Sequence, residues 1–326
     1  MESQQILSNI PLSNPISILG LVTALYKIYQ FSSFFALHFA HRSTLLRFRH
    51  HKDPKQTPWA LVTGSSDGIG KGFAEELCER GFNVVIHGRN AAKLEGVKAE
   101  LKERYPKVEI RVAVLDVHPV SEKALDEMVA SLSDLYITVL VNNVGGSGPI
   151  KPVFRQFPEL AMDEADTLFG INAAFPTRLT AKMLPALKTR QPSLVINVGS
   201  FTGRMPSPYL SVYAGTKAYI ESWSQSLGVE MKAEALDVEI LGLIVGEVQA
   251  SWRRDVPTNF MRCSSRKLAY DALNKVGCGQ RIVTPYIGHA IGGVGLDYMP
   301  EWLADKILSG VAKTMKAEDE KIAKGG

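Results

Sequence analysis

The chain has 326 residues, of which 45% are hydrophobic and 21% charged, with a net charge of +4. That size and composition suit one large α/β domain plus an extra segment. The small positive balance, without a lysine and arginine stripe interleaved with aromatics, gives no footing for a nucleic-acid partner. Cys78, Cys263 and Cys278 show no Cys-x-x-Cys spacing and no histidine cluster, so they read as reduced thiols and no metal site is expected.

From Ile16 to Ala40 the sequence is mostly apolar, interrupted by Lys27, Gln30, Ser32 and Ser33. Crossing a bilayer takes ~20 residues, so the length suffices. No positive stretch precedes the run and no small-residue cleavage site precedes Arg42, which argues against a removed signal peptide. Three readings stand: a spanning anchor, an interfacial helix or helical hairpin, and a helix docked on the protein itself. The basic flank His41–Lys52 would stay on the cytosolic side with everything after it. A polar, proline-bearing linker, Asp53–Pro58, then sets the expected boundary between a hydrophobic segment, 1–52, and a catalytic domain, 53–326.

Beyond the linker, strand and helix patterns alternate. Strands are expected at Trp59–Thr63, Asn83–Ile86, Ile110–Leu115, Ile137–Val141, Leu194–Val198 and Val238–Ile244. Helices are expected at Lys71–Arg80, Ala91–Tyr105, Ser121–Leu132, Glu164–Leu187 and Tyr209–Lys232. Strands that are apolar almost throughout predict a doubly wound parallel sheet covered on both faces. The tail Lys316–Gly326 is charged and glycine-ended, and reads as frayed.

Thr63-Gly64-Ser65-Ser66-Asp67-Gly68-Ile69-Gly70 lies between a strand and a helix, where glycines admit a pyrophosphate and a helix N-terminus offers N–H donors. At the end of the second strand, an acidic residue would bind the ribose 2′-hydroxyl of NAD. This chain has His87-Gly88-Arg89-Asn90 instead, and Arg89 suits a 2′-phosphate, which favours NADP(H). Asp67 objects mildly by bringing negative charge nearby. Asp116, ending the third strand, can accept from an adenine amine or cap the segment after it. Asn142-Asn143-Val144-Gly145-Gly146 ends the fourth strand, where an amide can hold neighbouring strands and the glycines leave room for a ribose.

Asn172, polar within an apolar helical stretch, is either a kinking amide bonded to backbone or the holder of a water that links Lys217 to solvent. Ser200 ends the fifth strand and can hydrogen-bond a substrate carbonyl. Tyr213 and Lys217 lie four residues apart on one helix face. Free tyrosine titrates near ~10, and Lys217, with the charge of an oxidised nicotinamide, is expected to lower that value so that Tyr213 exchanges the proton.

These motifs, in this order and spacing, resemble the classical short-chain dehydrogenase/reductase family. The resemblance implies one Rossmann-like domain, a nicotinamide cofactor and the catalytic set Asn172, Ser200, Tyr213 and Lys217. It further implies cofactor contacts from Gly64, Ser66, Asp67, Gly68, Ile69, Gly70, Arg89, Asp116, Asn143, Tyr213, Lys217 and Val248. Within the family the chain is most similar to the membrane-bound very-long-chain 3-oxoacyl-CoA reductases and their 17β-hydroxysteroid dehydrogenase relatives. The shared features are Ser66–Lys71, Val141–Gly145, the hydrophobic N-terminus, Thr284–His289 and Met299–Trp302. That similarity implies NADPH-dependent reduction of an acyl-CoA substrate in fatty-acid elongation, at the cytosolic face of the endoplasmic reticulum membrane. Other elongation enzymes and a homodimer are expected partners by analogy. A steroid or specialised-metabolite substrate is the alternative, and a non-catalytic NADP-binding scaffold a remote one.

Two departures stand out. Where the family has a proline-led segment ending in a threonine that contacts the nicotinamide, this chain has Val245-Gly-Glu-Val-Gln-Ala250, and one hydrogen bond of ~1 kcal/mol is missing. The dilysine retrieval signal of relatives is not matched cleanly by Lys321-Ile-Ala-Lys-Gly-Gly326. Residues 251–291, with Trp252, Phe260, Met261 and Tyr270, are expected to cover the substrate.

Overall fold

A computed structural model describes residues 14–53, 56–119, 121–249 and 256–325; Ala250 and Trp252 lie outside the described residues. The chain divides into two compact units, Met1–Arg42 and Ser43–Gly326. In the first, helix α1 (Pro15–Phe35) starts at Asn14, whose side chain accepts from the Ile16 N–H, and runs into a π turn, Ala36–Ala40. Pro15–Ala40, 26 residues, is long and apolar enough to cross a membrane. Its polar groups pair locally: Thr23 Oγ1 donates to the Leu19 carbonyl, and Lys27 Nζ to Gln30 Oε1 at 3.3 Å. Such pairing lowers the cost of taking them out of water.

The second unit begins at Ser43, earlier than the boundary expected at Asp53. Much of the basic flank, from Ser43 on, therefore belongs to the second unit. Leu45 and Phe48 are buried, Ser43 Oγ donates to the Leu273 carbonyl at 2.6 Å, and Thr138 Oγ1 donates to the Phe48 carbonyl at 2.7 Å. Arg47 is paired with Asp237 at 2.9 Å.

Nine strands follow among the described residues: β1 (Trp59–Val62), β2 (Asn83–Gly88), β3 (Ile110–Val114), β4 (Ile137–Asn142), β5 (Ser193–Val198), β6 (Val238–Leu243), β7 (Val248–Gln249), β8 (Cys263–Ser264) and β9 (Ile282–Val283). Seven form one parallel sheet in the order β3-β2-β1-β4-β5-β6-β9, and β7 pairs with β8 apart from it. Strands β1, β2, β4 and β5 are buried at every residue, as a sheet covered on both faces requires. The helices are α2 (Gly68–Glu79), α3 (Ala91–Arg104), α4 (Glu122–Ala130), α5 (Met162–Phe169), α6 (Phe175–Thr189), α7 (Ser211–Ala233), α8 (Ser265–Leu273), α9 (Ile287–Asp297) and α10 (Glu301–Gly325). Phe175, Leu179, Met183 and Met231 pack with Leu61, Leu140, Val195 and Ile240 in one core. Strand order reverses between β1 and β4, and the crevice at the carboxyl ends of the strands there is where an open parallel sheet binds a ligand.

Two expectations change. The single long helix Glu164–Leu187 is two helices, α5 and α6, joined by a π turn at Gly170–Ala174. Pro176 has no N–H to supply the α-helical bond to the Asn172 carbonyl, and the Asn172 amide donates to the Leu168 carbonyl at 3.0 Å, so the regular ladder breaks there. The tail is not frayed, since α10 continues through Gly325. Asp319 accepts from the backbone N–H groups of Val153 and Phe154, and Lys316 lies 5.0 Å from the Tyr209 ring centroid.

Candidate active site

The loop after β1 has the shape that a close backbone approach needs. Gly64 and Gly68 take φ of +65° and +56°, a region that costs a side chain strain. A Cβ on Gly70 would strike the Gly64 carbonyl oxygen and come 2.5 Å from Asn143 Nδ2. Asn143 holds the loop from β4 by donating to the carbonyls of Thr63 at 3.0 Å and Gly64 at 3.2 Å. Asp67 caps α2, accepting from the Gly68 N–H at 2.7 Å, so the carboxylate that argued against a phosphate starts the helix whose N-terminus would face it. Ser66 and Ile69 are half-buried on either side.

Ser66 Oγ lies 3.5 Å from the Cβ position of Gly88, which brings the loop over the end of β2. Next along the chain, Arg89 is exposed. His87 beneath it is fully buried and stacked on Phe175, and burial pushes its imidazole down to about 4. It stays neutral near pH 7, which leaves Arg89 as the cation of that corner. Asp116 is exposed and accepts from the His118 N–H at 3.2 Å. Together the glycine cradle, the N-terminus of α2 and the cation past β2 fit a phosphorylated dinucleotide.

Across the sheet, a buried row of polar side chains ties β4 to β5. Asn142 Nδ2 donates to Thr180 Oγ1 and Asn197 Oδ1, both at 2.8 Å, and Asn197 Nδ2 donates to Ser224 Oγ at 2.9 Å. Just beyond β5, Ser200 accepts from the Thr202 N–H at 3.2 Å and from Thr202 Oγ1 at 3.0 Å, which fixes its hydroxyl at the start of the turn Phe201–Gly203. That turn presses on α7: a Cβ on Gly203 would meet the Ala218 nitrogen and the Lys217 carbonyl carbon at 2.6 Å. Ser200 is thereby set against Tyr213, and its hydrogen bond favours the phenolate, but burial outweighs it and pushes the phenol up to about 12.

Lys217 is 5% exposed, and its Nζ donates to the Val198 carbonyl at 3.1 Å while lying 5.7 Å from the Tyr213 ring centroid. Burial lowers its ammonium to about 8. The ammonium is directed to the strand carbonyl, and at the phenol burial is the larger influence. Gly145 closes the group, since a Cβ there would lie 2.9 Å from Lys217 Nζ and 3.0 Å from Asn172 Oδ1. Asn172 clasps Gly146, accepting from its N–H and donating to its carbonyl, both at 2.8 Å. Asn172 and Lys217 thus meet at one glycine.

Val248 is buried in β7 opposite Cys263, and the Val245 carbonyl accepts from the Phe201 N–H at 3.0 Å, which places this loop beside Ser200. The sequence pattern gives no role to Thr202 or Asn197, and it shows His289 only as the end of the shared Thr284–His289 stretch. The first could have been found from a hydroxyl two residues after Ser200; the others show no spacing signal.

The family model described as short chain dehydrogenase matches residues 58–259, and the chain belongs to that family. Among curated relatives it is similar to the very-long-chain 3-oxoacyl-CoA reductase of Mus musculus, 33% identical over 81% of this chain and 82% of the relative. The enzyme of that name from Schizosaccharomyces pombe is 33% identical over 87% and 84%. Among solved structures, a short-chain dehydrogenase from Sphingobium yanoikuyae in complex with NADPH is 25% identical, with a TM-score of 0.59 over 74% of this chain and 92% of its own. A 7beta-hydroxysteroid dehydrogenase shares the fold with a TM-score of 0.67 at 20% identity, covering 77% of this chain and 96% of its own.

Proposed function

We propose that the chain is an NADPH-dependent reductase that converts a long-chain 3-oxoacyl-CoA to the 3-hydroxyacyl-CoA in fatty-acid elongation. The observation that carries the chemistry is the meeting of Ser200, Tyr213 and Lys217 at the carboxyl edge of β5, beside a loop that fits a dinucleotide. The substrate class rests on relatives named very-long-chain 3-oxoacyl-CoA reductase, which match at 33% identity over more than four-fifths of this chain. The choice of NADPH rests on Arg89 and on the NADPH-bound relative.

The cofactor, when bound, supplies a hydride to the carbonyl carbon. Ser200 Oγ would donate a hydrogen bond to the carbonyl oxygen and hold it beside Tyr213. Tyr213 would give that oxygen its proton as negative charge develops there. Burial keeps the phenol protonated near neutrality, so it carries the proton to be given. Lys217 would place a positive charge behind the phenolate that forms, and Asn172 would keep Gly145 and Gly146 in place against it. Gly64, Ser66, Asp67, Gly68, Ile69 and Gly70 would hold the pyrophosphate side, Arg89 the 2′-phosphate, and Asp116, Asn143 and Val248 the remainder. Pro15–Ala40 would anchor the enzyme in the endoplasmic reticulum membrane with the catalytic unit in the cytosol.

Following NADPH absorbance with the purified chain in detergent, against 3-oxoacyl-CoA of several lengths and a steroid ketone, tests the reading. Turnover of the long acyl-CoA is expected, and none with any 3-oxoacyl-CoA would sink it. Tyr213→Phe is expected to keep NADPH binding and lose reduction by orders of magnitude, because it removes the proton donor alone.

A further inference from the structure

The loop after β6 lacks the proline and threonine that its relatives use, yet it is firmly held, and the holder comes from about 40 residues downstream. His289, on the first turn of α9, is 2% exposed. Its Nδ1 accepts from the Gly246 N–H at 3.2 Å and its Nε2 donates to the Glu247 carbonyl at 2.9 Å, so the two partners fix a neutral ring with the proton on Nε2. The fit is close: a Cβ on Gly246 would lie 2.6 Å from the ring's Cδ2. Tyr286 meets the ring edge-on at 4.9 Å between centroids and Phe201, the residue after Ser200, at 6.4 Å. On the far side of the loop, Glu247 is paired with Arg262 at 2.7 Å.

The loop lies beyond the carboxyl end of β6 and is bonded to the Ser200 turn through the Phe201 N–H. In the reductase reading a hydride would reach a carbon whose oxygen is held by Ser200 and Tyr213, so the residues beside this loop would hold the nicotinamide half of the cofactor, and Gly64–Gly70 across the sheet its phosphates. We propose that His289 is a positioning residue: by holding Gly246 and Glu247 with both ring nitrogens, it sets the Val245–Val248 loop against the nicotinamide and ties that placement to α9. The same helix abuts the catalytic turn, since a Cβ on Gly293 would meet the Phe201 ring at 2.7 Å. A shift of α9 therefore moves the loop and the serine turn together. This proposal rests on the reductase reading for the place of the nicotinamide.

The test compares His289→Phe, which keeps a ring but removes both hydrogen bonds, with His289→Gln, which restores one donor and one acceptor, in the full chain in detergent. Dissociation constants are measured for NADPH and for 2′-phospho-ADP-ribose, which has no nicotinamide. His289→Phe is expected to weaken NADPH by about tenfold, leave 2′-phospho-ADP-ribose unchanged and enlarge the isotope effect with NADPH deuterated at C4, while His289→Gln recovers most of each. Equal weakening of both ligands, equal behaviour of the two variants, or no change in either would overturn the proposal. Should His289→Phe fail to fold, Gly246→Ala perturbs the same contact from the loop side, with the same expected pattern. If the chain binds NADPH but reduces no 3-oxoacyl-CoA, the substrate reading fails and the binding comparison still decides the role of His289.

Discussion

Replacing Lys217 with methionine is expected to stabilise the chain while abolishing its chemistry. Burial brings the ammonium from 10.5 down to about 8, so below pH 8 the folded chain holds a charge that water would hold better. Between 8 and 10.5 the unfolded chain is protonated where the folded one is not. Stability therefore rises with pH across that window, and the full penalty is present below it. At ~1.4 kcal/mol per pH unit the penalty is ~3 kcal/mol. Methionine keeps the length and apolar stem and forfeits one charge-assisted bond to the Val198 carbonyl, ~2 kcal/mol. At pH 7 the variant should be more stable by ~1 kcal/mol, and by about pH 10 the advantage should be gone. Urea midpoints at the two pH values, in one detergent and alongside NADPH oxidation, measure both halves of the claim. A variant less stable than its parent at pH 7, or a difference that does not change with pH, would refute the account of a charge held at a folding cost for the sake of catalysis.

Two further substitutions probe the cofactor cradle. Arg89→Ala removes the cation past β2 and should weaken NADPH by roughly thirtyfold, the worth of ~2 kcal/mol, while leaving NADH nearly unchanged. Titrations with both nucleotides check it, and equal losses would remove the basis for the 2′-phosphate assignment. Gly70→Ala drives a methyl into the Gly64 carbonyl and Asn143 Nδ2, so both nucleotides should lose affinity together. Unaltered binding of either in the same titration would show that the loop does not make the close approach argued for it.

The sheet and the glycine loop were legible because they are written in short stretches. Trp59–Thr63, Leu194–Val198 and Val238–Ile244 are apolar runs bounded by turns, and each is a strand to within a residue or so. Tyr213 and Lys217 were legible through helical spacing, yet their titration was not, because it depends on how deeply the rest of the chain covers them. The π turn at Asn172 hid inside a good helical pattern; Gly170 and Pro176 around it were the available signal. Ser43–Phe48 and His289 were illegible for another reason. Their partners, Leu273 and Thr138 in one case and Gly246 and Glu247 in the other, are distant in sequence and leave no periodicity behind.

The row Thr180, Asn142, Asn197 and Ser224 restricts how this sequence can drift. Each member sits on a different element, α6, β4, β5 and α7, and each gives or takes a hydrogen bond of the row. Replacing any one by an apolar residue strands a buried donor or acceptor at ~1–3 kcal/mol, whereas replacing the set together by residues of matching shape removes the debt. An evolving lineage cannot leave the row one step at a time without passing through a weakened intermediate. The four positions should therefore change in concert or stay, which makes them a record of descent written in the core beneath the site.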